Sequence, residues 1–125
     1  MCGIAGVYNP NKTPSQARYI MNNMLNAIAH RGPDDFGIWQ KDALTLGHRR
    51  LSIHDLTATG HQPMHSQDNR FSIVFNGEIY NFEDLRAKLN ITKWQGCSDT
   101  EVMLAAISKW GINKALEKFN AMFAF

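Results

Sequence analysis

The longest apolar runs in this chain are only a few residues, each soon cut by a glycine, a proline, an asparagine or a charge. A membrane-crossing helix needs about 20 consecutive apolar residues, so that class is excluded and short strands with amphipathic helices remain. At 125 residues the chain suffices for one domain with its own core and is too short for two. Its net charge is +2, with acids and bases interspersed. No basic block or aromatic-basic interleaving exists to track a phosphate backbone, so nucleic acid is not an expected partner. Met1-Cys2-Gly3-Ile4-Ala5 lacks the charged and long apolar regions of a signal peptide. Two cysteines, Cys2 and Cys97, cannot form a disulfide framework. Together these features point to the reducing cytosol.

The interruptions also predict the elements, and their mixture is α+β. Gly3 to Tyr8 is a candidate buried strand, ended by the turn residues Asn9-Pro10-Asn11. Thr13-Pro14-Ser15-Gln16 predicts a helix start, with Thr13 as N-cap, Pro14 in the first turn and Gln16 closing a capping box. Ala17, Ile20, Met21, Met24, Leu25 and Ile28 then recur at helical spacing, and Gly32-Pro33 ends the helix near His30. Strands are expected at Phe36 to Trp39, Leu44 to His48 and Phe71 to Phe75, with one long polar loop from Asp55 to Asn69. Helices are expected from Phe82 to Leu89 behind Asn81, from a Ser98-Asp99-Thr100-Glu101 capping box to Gly111, and from Asn113 to Phe119. The Met122 to Phe125 stretch reads as the beginning of another strand.

Three groups of residues carry possible chemistry. If Met1 is removed, Cys2 bears a thiol and a free α-amine. An α-amine titrates at about 7.7–8.0, so a useful fraction can accept the thiol proton near neutral pH. Nucleophile and base then sit on one residue; alternatively Cys2 is a small buried hydrophobe. Asn76-Gly77-Glu78 follows a strand and suits a hairpin turn or an oxyanion hole built from an amide and a backbone N–H. Arg50 can grip a carboxylate with two parallel hydrogen bonds, and Asp99 can hold an ammonium or favour a helix N-terminus. Both could instead be surface charges. The spacing in His61-Gln62-Pro63-Met64-His65 invites a metal reading, but Pro63 denies the pair a common helical face, so no metal is expected. No glycine-rich phosphate loop argues for a nucleotide.

Five ordered motifs together are more specific than any one. Met1-Cys2-Gly3-Ile4-Ala5-Gly6 resembles the start of class II glutamine amidotransferases, which are N-terminal nucleophile hydrolases. Similarly, His30-Arg31-Gly32-Pro33-Asp34, Arg50-Leu51-Ser52-Ile53, Phe75 to Asn81 and Ser98-Asp99-Thr100-Glu101 resemble the asparagine synthetase branch. The resemblance covers the whole chain. It implies an αββα sandwich, two stacked antiparallel sheets between helices, extending past position 125, so that this chain would be a partial glutaminase domain. Cys2 would attack the glutamine side-chain amide through a glutamyl thioester, with Asn76 and Gly77 forming the oxyanion hole. Arg50 would bind the substrate carboxylate, Glu78 and Asp99 its α-ammonium, and backbone at Leu51 and Ile53 would line the pocket. Ammonia would pass to an ATP- and Mg-using synthetase domain absent from this sequence; the glutaminase part itself would need no cofactor. Cys97 departs from the expected pattern, as a thiol near Cys2 or as inert core. Strand edges left unpaired would favour oligomers.

Two other readings stay open at the sequence level. One is an N-terminal cysteine hydrolase of another amide, which would give the charges of Arg50 and Asp99 no partners. The other is a non-catalytic module that binds glutamine or a partner chain.

Overall fold

The capping box at Thr13 is complete: its hydroxyl accepts the Gln16 N–H at 3.3 Å and Gln16 Oε1 accepts the Thr13 N–H at 3.0 Å. It starts α1 (Pro14–Ala27), which gives way to a short 3-10 turn, Ala29–Arg31, ahead of Gly32-Pro33. The computed structural model describes residues 1–52 and 57–125. The expectation for Ile53 therefore lies outside the described residues.

The helix packs on an antiparallel sheet of β1 (Gly3–Tyr8), β2 (Asp35–Lys41) and β3 (Leu44–Arg50), in the order β1-β3-β2. Ala17, Met21 and Leu25 are buried, whereas Met24 stays 36% exposed, so the apolar stripe is narrower than the spacing suggested. The register sets Gly3 opposite Arg49 and Asp35 opposite Arg50. The N-terminal end of β1 thus meets the C-terminal end of β3.

A second body of the fold gathers around β4 (Met64–His65), β5 (Ser72–Ile73), β6 (Asn76–Ile79), α2 (Phe82–Leu89), α3 (Asp99–Trp110), α4 (Ile112–Leu116) and β7 (Ala121–Ala124). Here β4 pairs with β5 and β6 with β7, both antiparallel. Phe75, Ile79, Leu85, Leu89, Val102 and Met103 form the centre of its core. The class is α+β with antiparallel sheets. No helix among the described residues is long and apolar enough to cross a membrane.

Several local expectations need correction. Asn76-Gly77 does not turn: it lies within β6. A Cβ on Gly77 would sit 2.4 Å from the Met122 carbonyl oxygen, so glycine is required there by the close approach of β7. The polar stretch read as one loop contains the 3-10 turn Ala58–Gly60 and β4. Asn81 precedes α2 without capping it. Its side chain instead donates to the Lys118 carbonyl and accepts the Asn120 N–H, tying α2 to the approach of β7. Ser98 caps α3 as expected, but Glu101 turns away to accept the N–H groups of Gln95 and Gly96. The last helix begins at Ile112 and ends at Leu116, earlier than Phe119, and Cys97 is exposed rather than core.

A buried polar contact joins the two bodies. His48, fully buried on β3, lies with Nε2 3.0 Å from the Phe75 carbonyl oxygen. An oxygen there requires Nε2 to carry the proton and donate. Its Nδ1 has no hydrogen-bond partner among the described residues. Burial pushes the imidazole pKa down to about 4, against smaller raising effects from the Phe75 bond and Asp35; Arg50 and His61 lower it slightly further. Protonation is therefore favoured in the unfolded chain, and stability present above pH 6.5 is lost as pH falls towards 4. Between pH 7 and pH 5 this group alone should cost about 2 kcal/mol. Urea unfolding at the two pH values measures it. His48→Gln keeps an N–H donor without a titrating ring, so its stability should fall less over that interval; an equal fall would acquit His48.

Candidate active site

Cys2 is held through both its backbone and its thiol. Just before β1, its carbonyl accepts Arg31 Nε at 3.0 Å, and its Sγ accepts the Leu51 N–H at 3.4 Å. Sγ also lies 3.7 Å from the Leu51 carbonyl. The Leu51 contacts follow from the β1–β3 register, which brings Cys2 beside the residue after Arg50. The end of β3 is fixed in turn by Asp34, whose N–H donates to the Arg50 carbonyl and whose carboxylate accepts the Ser52 N–H at 2.8 Å.

Arg50 is only 8% exposed, contrary to a surface-charge reading. Its Nη1 donates to the Thr57 carbonyl at 2.8 Å, and its guanidinium lies across Gly60. A Cβ at position 60 would fall 2.0 Å from Nη2, so the absence of a side chain makes room for the cation. Asp99, first residue of α3, accepts the Ile79 N–H through Oδ2 at 3.1 Å. Its carboxylate thereby ties the end of β6 to a helix N-terminus that favours negative charge.

Cys2, Arg50, Leu51, Asn76, Gly77, Glu78 and Asp99 all line one cavity of about 130 Å³. All the sequence-predicted site residues that are described therefore come together. The cavity holds a thiol, a cation, two carboxylates and a strand segment with a side-chain amide. That inventory fits a small zwitterion carrying a bond open to attack by sulfur. Among the described residues no cluster of three or more His, Cys, Asp or Glu could hold a metal ion; His61 pairs with Asp35 at 2.7 Å and His65 with Ser72 at 2.8 Å. A second cavity of about 270 Å³, walled by Met64, Trp94 and Leu104, receives none of the predicted site residues.

Sequence reasoning missed Gln62, Ser98 and Thr100 as cavity walls, and the contact of Arg31 with Cys2. The only sequence signal for Gln62 was its place in an unusually long polar stretch, where function often resides. Arg31 stood inside a recognised motif, but nothing in the spacing linked it to a residue 29 positions earlier.

The sequence profile described as "Glutamine amidotransferase domain" matches residues 1–125. The chain is 36% identical over 129 residues to "Asparagine synthetase [glutamine-hydrolyzing] 3" of Bacillus subtilis, with all of this chain and 21% of that protein covered. It is 37% identical to "Asparagine synthetase [glutamine-hydrolyzing]" of Triphysaria versicolor, covering all of this chain and 21% of the relative. It is also 36% identical to "Amidase chyE" of Penicillium rubens, with all of this chain and 20% of the relative covered. The chain thus spans about a fifth of the length of these curated relatives.

The fit of Arg50 over Gly60 can be tested without assuming any ligand. Gly60→Ala should lower stability by about 1–3 kcal/mol through overpacking against the guanidinium. In an Arg50→Ala background most of that penalty should vanish, because the clashing group is gone. Chemical denaturation of the four proteins gives the coupling. An equal penalty in both backgrounds would show that Arg50 does not occupy the space over residue 60.

Proposed function

The chain belongs to the glutamine amidotransferase domain family, and from that premise we propose that it hydrolyses the side-chain amide of glutamine to glutamate and ammonia through Cys2. What supports the reading most is the convergence of Cys2, Arg50, Asn76, Gly77, Glu78 and Asp99 on one cavity. Removal of Met1 frees the α-amine of Cys2, which takes the thiol proton as sulfur attacks the amide carbon. The carbonyl π electrons move to oxygen, giving a tetrahedral adduct whose oxyanion Asn76 and Gly77 stabilise. The adduct collapses with loss of ammonia, which carries the returned proton, and leaves a glutamyl thioester. Water then adds to the thioester; its breakdown releases glutamate and restores the thiol. The Leu51 N–H, already directed at Sγ, stabilises negative charge on the sulfur in both halves of the reaction.

Substrate choice rests on charge. Arg50 binds the α-carboxylate, Glu78 and Asp99 the α-ammonium, and backbone at Leu51 and Ile53 completes the walls. The parent fold proposed for this part is a two-sheet αββα sandwich, of which the antiparallel ladders here are the components. We assign the glutaminase step no cofactor. The ammonia passes to a synthetase domain using ATP and Mg, in line with the names of the relatives, with its acceptor chosen there. A reducing compartment such as the cytosol suits a nucleophile that must remain a free thiol.

Relatives named as amidases keep a second reading in view, hydrolysis of a different amide. Glutaminamide, which lacks the α-carboxylate, separates the two. Wild-type protein should prefer glutamine by a large factor in kcat/KM for ammonia release, and Arg50→Lys should lose much of that preference because lysine keeps charge without the planar fork. Equal discrimination by both proteins would remove Arg50 from carboxylate recognition. Cys2→Ala should abolish ammonia release while the circular dichroism spectrum and unfolding midpoint stay near wild type; normal turnover by that variant would end the nucleophile assignment.

A further inference from the structure

Phe75 lies between β5, which ends at Ile73, and β6, which begins at Asn76. Both its backbone polar groups are taken by buried side chains. The Phe75 N–H donates to Gln62 Oε1 at 2.7 Å, while its carbonyl faces His48 Nε2 at 3.0 Å. Because an N–H can only donate, the Gln62 oxygen is the atom facing Phe75 and its nitrogen faces away. That nitrogen donates to Thr100 Oγ1 at 3.3 Å. Thr100 Oγ1 donates to Asp99 Oδ1 at 3.4 Å, and Asp99 Oδ2 accepts the Ile79 N–H. A relay of side chains therefore spans the gap from Phe75 to Ile79 and closes around Asn76, Gly77 and Glu78. Gln62 is 6% exposed and Thr100 3%, so their bonds are sheltered from bulk water.

We propose that Gln62, seconded by Thr100, is the positioning residue that fixes the Asn76–Gly77 segment at the distance from Cys2 where its donors meet the oxyanion. This inference rests on the glutaminase reading and assigns a role within it. Gln62 also lines the cavity, but its two polar ends are engaged by Phe75 and Thr100, so it acts through the strand. Oxyanion stabilisation is sensitive to such placement, because the donors must lie at hydrogen-bond distance from where the oxygen moves rather than where it starts. Loss of the Gln62 bonds lets the strand relax and weakens the transition state more than the bound ground state.

The test uses Gln62→Met, which keeps the volume and removes both bonds, and Thr100→Val, which removes the hydroxyl that holds the amide nitrogen. Three readouts are taken: kcat and KM for ammonia release from glutamine, the affinity of a glutamine analogue with an aldehyde in place of the amide, and the rate of Cys2 alkylation by iodoacetamide. The aldehyde accepts the thiol to form a tetrahedral hemithioacetal and so reports the oxyanion site, whereas alkylation at an sp³ carbon develops no oxyanion. For Gln62→Met we expect kcat to fall about 10- to 100-fold, less than or equal to direct loss of an oxyanion donor. KM should stay within about twofold, aldehyde affinity should fall by the same factor as kcat, and the alkylation rate should hold. Thr100→Val should move in the same direction by a smaller factor, and it carries the test if Gln62→Met does not fold. A folded Gln62→Met with wild-type kcat overturns the proposal, as does a parallel fall in alkylation, which would mean that Cys2 itself had moved. Wild-type protein that neither releases ammonia nor binds the aldehyde overturns the glutaminase reading, and this inference with it.

Discussion

The antiparallel register of β1 against β3 is the constraint on which the cavity depends. Gly3 opposite Arg49 puts the residue before β1 beside the residues that follow Arg49, so Cys2 and Leu51 share a hydrogen bond while Arg50 enters the same space. A slip of one residue would turn every side chain of β3 to the other face. It would remove Arg50 from the cavity and His48 from Phe75 together. Helix α1 guards against that slip, because its buried Met21 and Leu25 pack on this sheet in one phase only.

The second requirement is that the cavity be closed by a segment far away in sequence. β6 belongs to a different ladder, so it needs a connection to the first sheet. His48, on β3, supplies it at the Phe75 carbonyl, while Gln62 holds the Phe75 N–H from the other side. A backbone amide buried with no partner would cost about 1–3 kcal/mol, so these bonds are strongly favoured over any arrangement that leaves Phe75 unpaired. The same bonds that satisfy the backbone thereby determine where Asn76 and Gly77 lie. Stability and site geometry rest on the same contacts, and acid lowers the stability because the unfolded chain protonates the His48 ring more readily than the folded one.

Much of this was legible in the order of residues. The capping signals at Thr13 and Ser98 placed two helices, because the local backbone's need for hydrogen-bond partners is written within four residues. The strand β1 was readable from a glycine-punctuated apolar run, and β3 as a short run behind the polar Gln40-Lys41-Asp42. What failed locally failed for a shared reason: Asn81 and Glu101 carry capping chemistry, yet each found a better partner outside its helix. Asn76-Gly77 carries turn chemistry, yet the arrival of β7 holds it extended.

By itself the sequence determined most of the elements, the family resemblance and the candidate site residues, since these depend on residue type and short-range spacing. It did not contain, in any readable form, the contact of Arg31 with Cys2, the seat of Arg50 over Gly60 or the relay from Gln62 to Asp99. The first and last join distant residues by side-chain hydrogen bonds, and the second lays a guanidinium over a distant glycine, with no periodicity to announce any of them. They exist only once packing has excluded water from those groups. Without that exclusion a glutamine in a polar loop bonds to solvent as readily as to Phe75, and only the folded core makes the Phe75 amide its best available partner.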